Sequence, residues 1–124
     1  MLKGNGVKVN KRKFGIIGEK IAQDYLKNEG YKIIETNFYT RKGEIDIIAQ
    51  KGKCIIFVEI KTRNNLEYGT PAMAVNSIKK MHIKNSAKIY IHTNKLYGWS
   101  VRFDVIEVII QNGKCQINHI ENIM

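Results

Sequence analysis

Residues 55–61, Ile-Ile-Phe-Val-Glu-Ile-Lys, constrain the fold of this chain more than any other stretch. A continuous apolar run of this kind, bounded by turn residues, reads as a strand in the interior of a sheet. Such a strand does not end in Glu-Ile-Lys without a reason. Side chains two apart on a strand share a face, so Glu59 and Lys61 point the same way. Upstream, residues 44–49 alternate, with Ile45, Ile47 and Ala49 on one face and Glu44, Asp46 and Ile48 on the other. Lys51-Gly52-Lys53 turns the chain between the two segments, so they pair as a hairpin. In a suitable register Asp46 and Glu59 then meet on one face.

The rest of the chain supplies the layers. Phe14 to Glu29 has helical periodicity, with Phe14, Ile17, Ile21 and Tyr25 at spacings of three and four and Gly18, Ala22 and Leu26 extending the face. Gly30 is placed to end that helix in a left-handed conformation. Tyr31 to Tyr39 is rich in β-branched and aromatic residues and reads as a strand, and Arg41-Lys42-Gly43 turns it into the next. A second helix is capped by Thr70, takes Pro71 at its first position and runs through Ala74, Ile78 and Met81 towards Ile91. Ser100 to Ile110 is a long strand, Asn112-Gly113 a hairpin turn, and Gln116 to Ile120 the returning strand. The order α-β-β-β-α-β-β is an α/β domain with a central mixed sheet flanked by helices. The 124 residues suit one domain, residues 14–124, preceded by a basic and flexible arm over residues 1–13.

Charge narrows the partners. The chain has 21 Lys and Arg against 11 Asp and Glu, a net charge of +10. That excess favours polyanions, nucleic acid before an acidic membrane surface. The basic N-terminus lacks the apolar core of a signal peptide and no apolar run reaches the length of a membrane span, so cytoplasm is the expected compartment. Cys54 and Cys115 lie in apolar, strand-like contexts and read as buried thiols rather than a disulfide. His82, His92 and His119 show no metal-ligand spacing.

Asp46, Glu59 and Lys61 have a use in such a chain. Glu19, on the packed side of the first helix, can approach the same place. Hard divalent cations take oxygen ligands, and Mg²⁺ uses one or two carboxylates, keeps several waters and completes its shell with substrate phosphate. The metal polarises a phosphoryl oxygen and acidifies a bound water, while a neighbouring lysine positions that water or neutralises charge on the phosphate. A plain cross-strand Asp–Lys pair, by contrast, contributes only ~0.2–1 kcal/mol and needs no site. The three residues together, beside so much apolar sequence, favour the site.

The motif x-D-(short spacer)-E-x-K on adjacent strands resembles the PD-(D/E)xK nuclease superfamily, the restriction-endonuclease-like fold. More closely, the chain resembles the YraN-type family of small uncharacterised proteins within it. The matching segments are G-E-K-I-A-Q-D-Y-L from Gly18, G-E-I-D-I-I-A from Gly43, F-V-E-I-K-T-R from Phe57, G-T-P-A-M-A-V from Gly69 and R-F-D-V-I from Arg102. Archaeal Holliday-junction resolvases are similar. By that likeness Glu19, Asp46 and Glu59 would be ligands of Mg²⁺ or Mn²⁺ and Lys61 the catalytic lysine, with a homodimer cutting two strands. Ile45 stands where the superfamily name has proline. The resemblance implies metal-dependent hydrolysis of DNA, in preference to RNA, with branched structures among the substrates. It leaves open a module of the same fold that binds nucleic acid without cutting it.

Secondary candidates have two readings each. Arg63 shares the face of Lys61 and could hold a phosphate or simply be solvated. Lys80, Lys84 and Lys88 recur every four residues and could track a nucleic-acid backbone, although a solvated helix face is commoner. Lys79 has the same ambiguity. Asp104 fits a structural pairing with Arg102 or a backbone group, and Trp99 and Tyr97 fit packing better than base stacking.

Overall fold

The computed structural model describes residues 11–64 and 77–124. Helix α1 (Lys11–Asn28) is followed by strands β1 (Lys32–Thr40), β2 (Gly43–Lys51) and β3 (Cys54–Arg63), helix α2 (Ser77–Thr93), and strands β4 (Ser100–Gln111) and β5 (Lys114–Ile120). The five strands form one sheet in the order β1-β2-β3-β4-β5. β1–β2, β2–β3 and β4–β5 are antiparallel, whereas β3 and β4 are parallel, from Cys54 opposite Ser100 to Arg63 opposite Ile109. A parallel neighbour needs a crossover, and α2 lies within it. Among the described residues, no helix is long and apolar enough to cross a membrane.

The helices cover opposite faces. Ala22 and Leu26 of α1 pack on Ile47, Ala49, Ile56, Val58, Ile106 and Val108. Ala87 and Tyr90 of α2 pack on Ile45, Ile48, Ile55 and Phe57. β3 is thus buried on both sides, as its unbroken apolar run requires. In β2 the strict alternation fails. Ile45, expected on the face of Ile47 and Ala49, joins the α2 side, so the strand changes facing around Asp46.

Local chemistry sets the ends. α1 closes in a Schellman arrangement: Gly30 has φ 90°, the Gly30 N–H donates to Lys27 O at 3.1 Å and the Tyr31 N–H to Leu26 O at 2.9 Å. Asn112 and Gly113 both have positive φ, 53° and 72°, the backbone a two-residue hairpin needs. Of the basic arm expected over residues 1–13, residues 11–13 lie among the described residues. Lys11–Lys13 belong to α1, and residues 1–10 lie outside the described residues. Thr70 and Pro71, expected to start α2, also lie outside them. Cys54 is half-buried, but Cys115 is exposed because β5 is an edge strand.

Two glycines of α1 separate helix propensity from packing. A Cβ at Gly15 would meet nothing within 4 Å, whereas at Gly18 it would overlap the Thr62 side chain of β3. Alanine in a helix is favoured over glycine by roughly 0.5–1 kcal/mol, and overpacking costs roughly 1–3 kcal/mol. Urea unfolding should therefore show Gly15→Ala more stable than wild type and Gly18→Ala less stable by about 1–2 kcal/mol.

Candidate active site

The ladder between β2 and β3 runs from Lys51 opposite Cys54 to Ile47 opposite Val58 and stops there. Beyond it a side chain replaces the backbone acceptor: the Ile60 N–H donates to Asp46 Oδ2 at 2.8 Å. The sheet forks at this point, while β3 stays paired with β4 to Arg63. The fork opens into a cleft of about 560 Å³ lined by Gly43, Glu44, Asp46, Glu59 and Lys61 from the sheet and by Ile78, Lys79, His82 and Ile83 from α2. α2 is held close by Ser86, whose Oγ lies 2.8 Å from Thr40 Oγ1.

Two carboxyl groups meet at the fork. Glu59 is only 6% exposed. Burial pushes the Asp46 carboxyl up to about 9, and its hydrogen bond to Glu59 and the charge of Glu59 add to the rise, against the pull of the Ile60 N–H. Asp46 thus keeps a proton and donates it to Glu59. Burial alone would raise Glu59 too, but the hydrogen bond from Asp46 and the ammonium groups of Lys79 and Lys61 outweigh it, so Glu59 falls below its ordinary range. Lys79 is ion-paired with Glu59 Oε2, and Lys61 Nζ stands 3.7 Å from the same oxygen. Lys61 is lowered by burial and by the charge of Lys79, with Glu59 opposing.

The structure brings together Asp46, Glu59 and Lys61, and Lys79 with them, but not Glu19. Glu19 is hydrogen-bonded to the Asn37 side chain and raised by burial and by the charge of Glu44. Among the described residues, no group of three or more His, Cys, Asp or Glu is placed to hold a metal. The full ligand set expected from Glu19, Asp46 and Glu59 is therefore not assembled. Asp46 and Glu59 alone still suit a hard cation, because one or two carboxylates suffice for Mg²⁺, which keeps waters and substrate phosphate in the rest of its shell. Glu44 and His82 line the cleft without having been singled out in the sequence, although alternation already placed Glu44 on the face of Asp46.

The other candidates separate. Arg63 is ion-paired with Glu107, a carboxylate only 1% exposed, so its guanidinium neutralises a buried charge. Lys80, Lys84 and Lys88 line a separate surface groove with Ser77, Met81 and Asn85. Asp104 is structural: Arg102 Nε donates to it at 2.9 Å, the Asn122 N–H at 3.0 Å, and His119 Nε2 lies 2.7 Å away. Trp99 packs against the α2-side core, whereas Tyr97 is exposed beside His92.

Stability measurements separate these roles. Removing one partner of a buried ion pair costs roughly 3–5 kcal/mol, so Arg63→Ala should lose about that much, while Lys84→Ala should stay within about 0.5 kcal/mol. Asp46 titrates near 3.8 when unfolded and at about 9 when folded, so the folded state binds the extra proton in between. Its contribution is complete below the lower value and is lost as pH rises towards the upper one. Glu59 acts in the opposite sense and below its ordinary value of 4.5, outside that window. Denaturant midpoints of wild type should fall from pH 5 to pH 9, and Asp46→Asn should flatten the decline.

The model of the uncharacterised protein family UPF0102 matches residues 18–108. A UPF0102 protein of Alkaliphilus oremlandii is 49% identical over 113 residues, covering 90% of this chain and 97% of its own. Those of Alkaliphilus metalliredigens and Syntrophomonas wolfei are 47% and 40% identical, each over 90% of this chain and 96% of its own. The crystal structure of SSO0001 aligns over 90% of this chain and 51% of that one at 21% identity, with a TM-score of 0.37, too loose a likeness to carry an argument. The family match runs from Gly18 in α1 through the forked β2–β3 hairpin to Val108 in β4, and the chain belongs to the UPF0102 family.

Proposed function

We propose that this chain is a metal-dependent nuclease that hydrolyses phosphodiester bonds of DNA at the cleft of Asp46, Glu59 and Lys61. The observation that carries this reading is the pairing of half-buried Asp46 with buried Glu59, open to a cleft and flanked by lysines, in a chain of net charge +10. A Mg²⁺ or Mn²⁺ ion held by Asp46 and Glu59 would supply Lewis acidity and an acidified water. The chain's own groups do the rest. The Ile60 N–H fixes the Asp46 carboxyl group by donating to its Oδ2. Lys61, on the same side of β3 as Glu59, is placed to orient a water or to neutralise charge growing on a phosphate. Burial on the floor of the fork strengthens both effects, since charges interact more strongly away from bulk water. The likeness to junction resolvases favours branched DNA, cut by two copies acting on two strands.

A second reading is a module that binds nucleic acid without cutting it. The groove lined by Lys80, Lys84 and Lys88 favours it, because it shares no residue with the cleft. Cleavage of single strands, duplexes, flaps and four-way junctions, with Mg²⁺ or Mn²⁺, distinguishes the two. Wild type should cut at least one of these, and Asp46→Ala and Lys61→Ala should each reduce the rate by about 100-fold or more. Equal cutting by the variants would trace the activity to a contaminant. Salt-sensitive binding with no cutting would select the second reading.

A further inference from the structure

Lys79 differs from the other described lysines of α2. Lys80, Lys84 and Lys88 face the surface groove, whereas Lys79 turns into the cleft and lies against Glu59 Oε2. Lys61 approaches that oxygen too, at 3.7 Å. A single carboxylate oxygen thus faces two ammonium groups, one from β3 and one from the helix across the cleft.

A half-exposed lysine on a surface carboxylate would mean little, because such pairs contribute at most ~1 kcal/mol. Here the carboxylate is 6% exposed, so its interactions are poorly screened. The helix is seated closely on the β1–β2 hairpin. Ser86 ties α2 to the β1–β2 hairpin through Thr40, and a Cβ at Gly43 would come within 3.2 Å of His82 Cβ. The Lys79 side chain is 39% exposed, against 6% for Glu59.

We propose that Lys79 is a resident cation of the cleft, occupying on Glu59 the place a divalent metal takes, so that the Glu59–Lys79 ion pair and metal binding exclude one another. The inference rests on the reading of Asp46 and Glu59 as metal-binding residues. Lys79 is thereby a positioning residue: it holds Glu59 in place until a metal arrives, and lowers the apparent metal affinity by competing for the same oxygen.

Direct Mn²⁺ titration, followed by calorimetry or by loss of the free-ion paramagnetic resonance signal, tests this without any nuclease assay. Wild type should bind Mn²⁺ and Asp46→Ala should not. Lys79→Met should bind Mn²⁺ about tenfold more tightly than wild type, because one unit charge has left a poorly screened site. Lys79→Arg should stay near the wild-type value. Should the methionine variant fail to fold by circular dichroism, Lys79→Gln makes the same comparison. Unchanged or weaker binding when Lys79 is neutralised overturns the inference and leaves the nuclease reading intact. Absence of Mn²⁺ binding in wild type and in the neutralised variant overturns both.

Discussion

The hydrogen bond from the Ile60 N–H to Asp46 is the contact on which the site depends. A buried N–H in a sheet must find an acceptor, and across a regular ladder that acceptor is a backbone carbonyl. Here a carboxylate takes the role. Its reach is longer than that of a main-chain oxygen, so β2 and β3 separate without leaving the donor orphaned. The gap becomes the cleft, and the group that spans it is also the group with chemistry to offer.

Holding such a group in place requires a rigid surround. β3 is locked on its other edge by an unbroken parallel pairing with β4 and packed on both faces. Polar clusters brace the flanks. Arg63 and Glu107 pair beside the cleft, and Asn118 donates to Glu107 at 3.1 Å. On the α1 side Asp104 gathers Arg102 and His119, while Arg102 also donates to the Tyr31 hydroxyl at 2.6 Å and His119 Nδ1 lies 3.0 Å from the Tyr25 hydroxyl. The second cluster shapes the C-terminus as well. By accepting from the Asn122 N–H, Asp104 directs the last residues so that Ile123 and Met124 pack near Ile83 and Val105.

Most of the architecture was legible because its signals are local. The apolar run of β3, the hairpin glycines and the stop at Gly30 each depend on a few neighbouring residues, and every described strand and helix lies where those patterns put it. The pairing of Asp46 with Glu59 was also legible, since a short hairpin leaves few registers. What escaped depends on three-dimensional approach. Arg63 carries the pattern of a phosphate ligand, but Glu107, brought alongside by the parallel pairing, claims it. Glu19 sits on a helix covering the opposite face, and no spacing rule says how far its side chain reaches around an edge. Lys79 was one of several lysines in a helical segment, and which of them turns inward depends on how the helix is rotated against the sheet. Ile45 broke its alternation because the backbone yields where the fork begins.

The parallel pairing of β3 with β4 also bears on the order of events during folding. The β1–β2–β3 meander can zip from its turns, each pairing close in sequence, and already contains Asp46, Glu59 and Lys61. β4 can dock on β3 only after the intervening chain, α2 included, has closed a long loop, since Cys54 must find Ser100. Such non-local closure is entropically slow, and it sets folding rates in domains of this topology. Contact order thus favours a route in which the two carboxyl groups become neighbours before the helix that supplies Lys79 is in place. In that interval the nascent hairpin presents an acidic pair with a single lysine beside it, and its charge is settled last, by the crossover that completes the sheet.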